Sequence, residues 1–562
     1  MPCVDMKLMS SLEKCFLDEE LEAKPETNDF VIFRNERLSF QLGVRHEDPT
    51  QVRRLRVRLS GPLADFVTVK RVVHIPSTFP YNPKLADGDY LRYTPGVYPD
   101  LIAPLHYRES LLLPCGQLQT LWFTLSLPED YADGDYDLGV TLTAEGLIEK
   151  GIEEVGTRTV RIRVLSAALP PQKLIRTEWF YTDCLANYYG VSAFSEEHWR
   201  IIESFVKKAA EGGINMILTP VFTPELDTYV GGERLTTQLV EIFVREDGSY
   251  AFDFERLDRW IDLCRGAGIE YFEIPHFFTQ WGAAHAPKFV AKTGGKEERI
   301  FGWDTDAMGE EYRAFLGRFI PALLDALRKK GVDRKCFFHV SDEPRLADLA
   351  HYKACKELIG QYLKGYPIID ALSDYEFYAT GALEKPVPAT QKIEPFLAER
   401  IDGLWAYYCG ASGAKDVSNR FFSLSQARVR IIGVQLWYYR IEGFLHWGYN
   451  FYNNRHSYDA INPFAVSDGE GFAPSGDTYL VYPGEGGEAW ESLRFCAMKE
   501  AMDDIRALEL CESIYGREFT ERLVLEDTDG ILTFAHYPKN AEYLINLRRK
   551  LALAIEEGKT KE

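Results

Sequence analysis

The chain has 562 residues, 46% of them apolar and 27% charged, which is too long for a single core and ordinary for a globular protein. A formal charge of −21 excludes a nucleic-acid partner, because phosphate binding needs clustered Lys and Arg, and it gives no basis for attachment to an anionic membrane. No apolar run reaches the length of a transmembrane helix, and the acidic segment 1–20 lacks the apolar centre of a secretory signal.

Ten cysteines are scattered without a C-x-x-C pair, several in apolar surroundings, as expected of reduced buried thiols in a cytoplasmic protein. Aromatic residues make up 13% of the chain, a mild pointer to sugar rings, whose apolar faces stack on aromatic ones.

Residues 29–165 read as β-strands punctuated by Gly, Pro, Asp and Asn, with runs at 30–33, 52–59, 66–75, 118–127, 136–143 and 159–164. Arg53, Arg54, Arg56 and Arg58 alternate with Leu55, Val57 and Leu59, as on a strand with one polar face. An antiparallel β-sandwich is expected over 1–170, closed by Leu169-Pro170-Pro171.

From residue 171 strands alternate with helices. Strands are expected at 174–181, 214–218, 269–274, 336–341, 366–371, 385–389, 404–408 and 444–447. Amphipathic helices are expected at 198–212, 253–265, 312–330 and 348–360, and 419–439 is read as a helix on its length. Eight βα steps predict a (β/α)8 TIM-type barrel, and so an α/β catalytic domain over 171–515 with a C-terminal extension at 516–562. A doubly wound sheet is disfavoured, since 184–190 offers no glycine-rich phosphate turn. The loop 450–487 is long and aromatic, the profile of a functional loop rather than a disordered one.

The segment 337–344 carries the chemistry. An apolar β-run ends in the adjacent carboxylates Asp342 and Glu343, and Pro344 forbids its continuation. Parallel strands deliver catalytic groups to a barrel rim in this way. A like charge at Asp342 would raise the pKa of Glu343 and suit it to act as general acid. Ordinary retaining glycosidases hold two carboxyl groups about 5 Å apart across the sugar, on different elements. Neighbours in sequence fit instead a substrate-assisted reaction, in which a 2-acetamido group attacks the anomeric carbon. One carboxylate then orients that amide while the other protonates the leaving oxygen.

Around the pair, Trp179, Trp281, Trp405, Tyr407, Tyr408 and Trp447 are candidate sugar platforms, with Trp405 and Trp447 preferred. Asn450, Asp477 and Tyr482 on the long loop are candidates for sugar hydroxyls, as is His276 after the third strand, whereas His339 reads as core. No cofactor is implied: metal-ligand spacings, nucleophile elbows and phosphate loops are lacking.

The acidic pair in 338–344, the segment 443–453, the segment 476–484 and the run 492–495 leading into Asp503-Asp504 resemble, in that order, the catalytic domain of glycoside hydrolase family 123. The resemblance spans 174–515 and implies a β-rich N-terminal domain and a β-N-acetylgalactosaminidase-like activity by substrate assistance. It also implies Asp342 as the residue orienting the acetamido group and Glu343 as acid/base. Two other functions stay open on the residues: a carbohydrate-binding protein without catalysis, and a glycosidase for sugars lacking the acetamido group, with Glu178, Glu273 or Asp374 as second carboxylate. Oligomeric state is not specified by the sequence.

Overall fold

A computed structural model describes residues 4–49, 52–105, 109–146, 151–410 and 415–559. The chain forms two compact units, one of Met1–Lys173, Ser418–Tyr438 and Trp490–Glu562, the other of Leu174–Val417 and Tyr439–Ala489.

In the first unit the strands are β1 (Asp5–Ser10), β2 (Asp29–Arg34), β3 (Arg37–Arg45), β4 (Arg53–Ser60), β5 (Val67–Ser77), β6 (Gly96–Ala103), β7 (Leu111–Leu113), β8 (Gln119–Ser126), β9 (Gly134–Gly146) and β10 (Ile152–Ala168). One sheet runs β1-β3-β8-β5-β6 and the other β2-β10-β9-β4-β7. Their ladders are antiparallel except for β2 beside β10. Period-two alternation puts Leu138, Val140 and Leu142 of β9 and Val160, Ile162 and Val164 of β10 on inner faces. There they share one core with Phe40, Leu42 and Val44 of β3 and Leu121, Phe123 and Leu125 of β8. On β4, Leu55 joins this core while Arg56 reaches Glu145 at 3.1 Å.

Segments far along the chain complete this unit. Glu491 and Ser492 pair with β6 at Ile102 and Leu101. The helices Gln426–Arg430, Ile432–Tyr438, Leu493–Tyr515, Arg517–Leu525 and Ala541–Lys559 also belong to it. The linear division into 1–170, 171–515 and 516–562 therefore differs from the compact units. Buried ion pairs show why: Arg494 is paired with Asp100 at 2.8 Å and Arg428 with Asp87 at 2.9 Å. The helix expected over 419–439 starts only at Gln426, where the Ser425 side chain accepts from the Arg428 N–H at 3.3 Å.

The second unit begins with β11 (Ile175–Glu178), β12 (Met216–Leu218), β13 (Glu241–Val244), β14 (Tyr250–Asp253), β15 (Tyr271–His276), β16 (Phe289–Thr293) and β17 (Lys296–Phe301). It continues with β18 (Cys336–His339), β19 (Ile369–Ala371), β20 (Lys385–Val387), β21 (Trp405–Tyr407) and β22 (Gly443–His446). Interleaved are α1 (Thr182–Tyr189), α2 (Glu196–Glu211), α3 (Glu255–Ala267), α4 (Glu310–Lys329), α5 (Leu349–Gly360), α6 (Glu376–Ala379) and α7 (Glu394–Ala398). Ser195 caps α2 by accepting from the His198 N–H, and Gly268, at φ +100°, ends α3 in the left-handed region that glycine favours.

Each of the eight expected strand segments contains a strand. Six lie in one curled parallel sheet, ordered β18-β15-β12-β11-β22-β21, and β19 and β20 form a separate parallel pair. Single parallel bridges, Phe338 to Ile368 and Ala389 to Tyr407, lie on either side of that pair. One continuous eight-stranded ring, as the sequence predicts, is thus not what is observed. The physical reason is local: the Val340 N–H donates to the Asp370 carboxylate, at 3.1 Å to either oxygen, instead of extending a ladder. Excursions after β12 and β15 build a second sheet, β14-β13-β16-β17. Among the described residues no helix is long and apolar enough to cross a membrane.

Candidate active site

Strand β18 is buried at all four positions and stops at His339, two residues earlier than expected. The acidic pair follows on irregular backbone held from both sides. The Asp342 carbonyl accepts from the Trp281 N–H, and the Glu343 N–H donates to the Ala371 carbonyl, each at 3.1 Å. Ser341 Oγ donates to the Thr279 carbonyl at 2.8 Å. Glu343 has φ +40°, a left-handed conformation that costs a non-glycine residue on the order of 1–3 kcal/mol and is tolerated where the surroundings enforce it. It breaks the alternation that would send neighbouring side chains to opposite faces.

The two carboxylates meet different surroundings. Glu343 Oε1 accepts from the Tyr407 hydroxyl at 2.7 Å. Burial, and then the Glu343 charge, hold the Tyr407 phenol well above its ordinary value, so it remains a donor. Asp342 is held well above the usual carboxylate range by burial first, then by the charges of Glu343 and Asp370.

Beneath the pair runs a buried polar chain. Glu273 Oε1 accepts from Trp179 Nε1 at 2.8 Å and lies 2.7 Å from His339 Nε2, while its Oε2 accepts from the Thr177 hydroxyl. His339 Nδ1 lies 3.0 Å from Asp370, whose other oxygen accepts from the Tyr352 hydroxyl at 2.6 Å. Burial opposes a charge on His339, but its bonds to Asp370 and Glu273 and their charges prevail and raise its pKa to about 9. His339 is therefore a buried imidazolium clamped between two carboxylates. His276, its ring 4.2 Å from that of His339, is held neutral by burial and by the His339 charge. Donor atoms of His276, His339 and Asp370 lie within 4.8 Å of one another, a spacing compatible with a metal ion. Both His339 nitrogens already bond carboxylates, and an imidazolium is no ligand, so the set fits a proton-holding chain better.

The remaining expected site residues divide. Tyr407 joins Glu343, and Trp281 is tied to Asp342 through its backbone with 39% of its surface exposed. Half-buried Trp447 donates to Asp477 at 3.0 Å, and Asp477 lies 3.4 Å from His446, so these side chains form a second polar group at the end of β22. Trp405 is fully buried at the start of β21, against Phe337 and so close to Gly443 that a Cβ there would collide with its ring. It fills the interior and presents no face. Asn450 bonds the Tyr181 backbone on both sides, at 2.9 and 3.0 Å, and thereby braces the exit of β11. Tyr482 is buried among Tyr479 and Phe464. The long loop is ordered by such contacts, including Tyr452 to the Val481 carbonyl and Tyr479 to the Pro463 carbonyl.

Glu178, a possible second carboxylate, is fully buried against Arg176. The sequence reading missed Asp370, Tyr352 and the charged role of His339. The signal was there: His339 and Asp370 each fall inside an expected strand, where a buried ionisable group needs a partner.

Two neighbouring carboxyl groups just past the end of a buried parallel strand, one of them bonded by a buried tyrosine, form a candidate acid–base site. Residues 179–511 match the family described as glycoside hydrolase 123, catalytic domain, and the chain belongs to that family. Among solved structures, a family 123 glycoside hydrolase from Clostridium perfringens, studied for glycolipid glycan hydrolysis, is similar in fold. The similarity has a TM-score of 0.72 over 99% of this chain and 98% of that one, at 16% identity. A family 5 mannosidase from Rhizomucor miehei aligns far more weakly, with a TM-score of 0.31 and 11% identity over 63% of this chain and 95% of that chain. No curated protein matches the chain.

Proposed function

We propose that this glycoside hydrolase removes a terminal 2-acetamido sugar, β-N-acetylgalactosamine-like, with retention and by substrate assistance. The observation that carries the proposal is the adjacency of Asp342 and Glu343 on a backbone broken at φ +40°. Two carboxyl groups so joined do not straddle a sugar as nucleophile and acid, so the attacking atom is the substrate's own acetamido oxygen. Asp342 accepts from the amide N–H through a carboxyl oxygen and orients it, and the cationic oxazolinium forming beside it opposes the charges that raise its pKa. Glu343 protonates the glycosidic oxygen, and in the second half-reaction it takes a proton from the water that opens the oxazolinium ion. Tyr407 holds Glu343 in place.

The framework is read as an N-terminal β-sandwich and an interrupted relative of the (β/α)8 barrel, in which β19 and β20 stand as a separate pair linked to their neighbours only by the single bridges at Phe338–Ile368 and Ala389–Tyr407. Of the three carboxylates open to the alternative mechanism, Glu273 is engaged by Trp179, Thr177 and His339 and Glu178 by Arg176, which leaves the half-buried Asp374 as its one candidate. Among the described residues no two of the nine cysteines form a disulfide, and all but Cys115 are buried, which favours a reducing compartment.

The test is a set of 2-acetamido and plain glycosides together with a thiazoline that mimics the cyclised intermediate. Glu343→Gln should lower kcat by roughly 10²–10⁴-fold while the thiazoline still binds. Tight thiazoline binding and cleavage of acetamido sugars alone support the mechanism; cleavage of plain glycosides with no thiazoline affinity would sink it.

A further inference from the structure

Next to the catalytic pair lies an aromatic track that no part of the proposed mechanism uses. It starts at Trp281, whose N–H is bonded to the Asp342 carbonyl. The Trp281 ring meets His456 edge-on at 5.3 Å, His456 meets Tyr458 at 6.4 Å, and Tyr458 stacks on Tyr229 at 4.4 Å and 14°. These rings are exposed: Trp281 by 39%, Tyr229 by 36% and Tyr458 by 61%. Tyrosine and tryptophan normally cover their apolar faces, so a connected row in the open beside a catalytic centre marks a ligand surface.

The backbone beneath is fixed, not loose. Asp227, Trp281, His456 and Ser457 all have φ between +47° and +60°, positions that non-glycine residues hold only when over-determined. The two loops are laced together: the Tyr229 N–H donates to the His456 carbonyl, the His456 N–H to Asp227 Oδ2, and Ser457 Oγ to the Asp227 carbonyl. The Asp227 N–H is anchored on Gln280, next to Trp281. A row of rings preformed on tied loops, with the Asp227 carboxylate and the His456 imidazole beside it, matches the faces and hydroxyls of a sugar.

We propose that Trp281, Tyr458 and Tyr229 form a binding platform for the carbohydrate on the leaving-group side of the scissile bond, so that the enzyme prefers a glycan over a small aglycone. The inference rests on the proposed hydrolysis of a terminal sugar. In that reading the terminal sugar sits at Asp342 and Glu343, and the rest of a glycan must leave over exposed surface. The track from Trp281 outward offers that surface, starting at the backbone of Asp342.

The experiment compares two substrates with the same terminal 2-acetamido sugar: its methyl glycoside, which places one carbon on the leaving side, and a β-linked oligosaccharide. The quantity read is the ratio of kcat/KM for the oligosaccharide to that for the methyl glycoside. Tyr458→Ala, Tyr229→Ala and Trp281→Ala should each lower this ratio by up to about tenfold, with Trp281→Phe retaining most of it. The two tyrosine variants alter exposed rings and keep the test independent of any disturbance at Asp342. An unchanged ratio in all three alanine variants overturns the platform while leaving the hydrolase assignment intact. Failure of the unaltered enzyme to cleave either substrate overturns that assignment and the platform with it.

Discussion

Asp342 combines opposite demands in one side chain. Burial and two neighbouring carboxylates hold its pKa above the ordinary 3.8, so the folded chain binds this proton more tightly than the unfolded one. The contribution of Asp342 to stability is therefore present below about pH 4 and is lost as pH rises through the raised value. Asp342→Asn should remove that loss, so the Tm of the variant relative to the parent should climb with pH across this window. Under the proposed mechanism its kcat should fall by roughly 10²–10³-fold, since a neutral amide can accept from the acetamido N–H but cannot supply the negative charge that stabilises the cyclised cation. A Tm difference independent of pH would show that Asp342 is not desolvated. Tyr407 acts one step further out. Tyr407→Phe deletes the 2.7 Å bond to Glu343 and should lower kcat by about tenfold with little change in KM, as expected of a group that positions the acid.

At the scale of elements, β15, β18 and β19 are coupled through charge as well as through their backbones. Glu273, His339 and Asp370 come from these three strands, and each is fully buried. The His339 pKa of about 9 against an ordinary 6.5 means that its protonated form contributes stability fully below pH 6.5, and this is lost as pH rises through about 9. Denaturant midpoints at pH 6 and pH 9.5 should show that loss. In Glu273→Gln the imidazolium keeps only Asp370, and the difference between the two pH values should shrink. Glu273→Gln also removes one charge-assisted bond, typically worth about 1.5–3 kcal/mol, so the same variant should be destabilised at pH 6. The strand segments themselves were legible, because apolar β-runs bounded by Gly, Pro and Asp follow from local propensity. Neither the early end of β18 nor the break beside β19 was legible. Both depend on the Val340 N–H finding a carboxylate thirty residues away in sequence, at Asp370.

For the whole molecule, the β-rich unit depends on chain from Ser418–Tyr438 and Trp490–Glu562, far beyond its own strands. Arg494 and Arg428, both buried, find their carboxylates at Asp100 and Asp87. Asp100→Ala should cost about 3–5 kcal/mol, read as a lowered denaturant midpoint, because it strands Arg494 in the interior. A fragment 174–562 deletes both carboxylates together with the sheet that Glu491 and Ser492 extend, and it should be insoluble where the full chain is not. Soluble, cooperatively unfolding fragment would show that the helices after residue 490 do not need the N-terminal strands.

The sequence by itself determined what is encoded locally: the run of strands and helices, the acidic pair at the end of a β-run, and the family to which the chain belongs. These follow from propensity, periodicity and the order of short motifs, none of which needs a contact distant in sequence. Only the tertiary structure decided what each side chain faces. It turned Trp405 inward against Phe337, gave Asn450 to the backbone of Tyr181, and made a buried cation of His339. It also brought Tyr229, Trp281 and Tyr458 together from three separate loops into an exposed row. Burial and charge are properties of a surrounding assembled from the whole chain, and the residues of that surrounding lie tens to hundreds of positions apart.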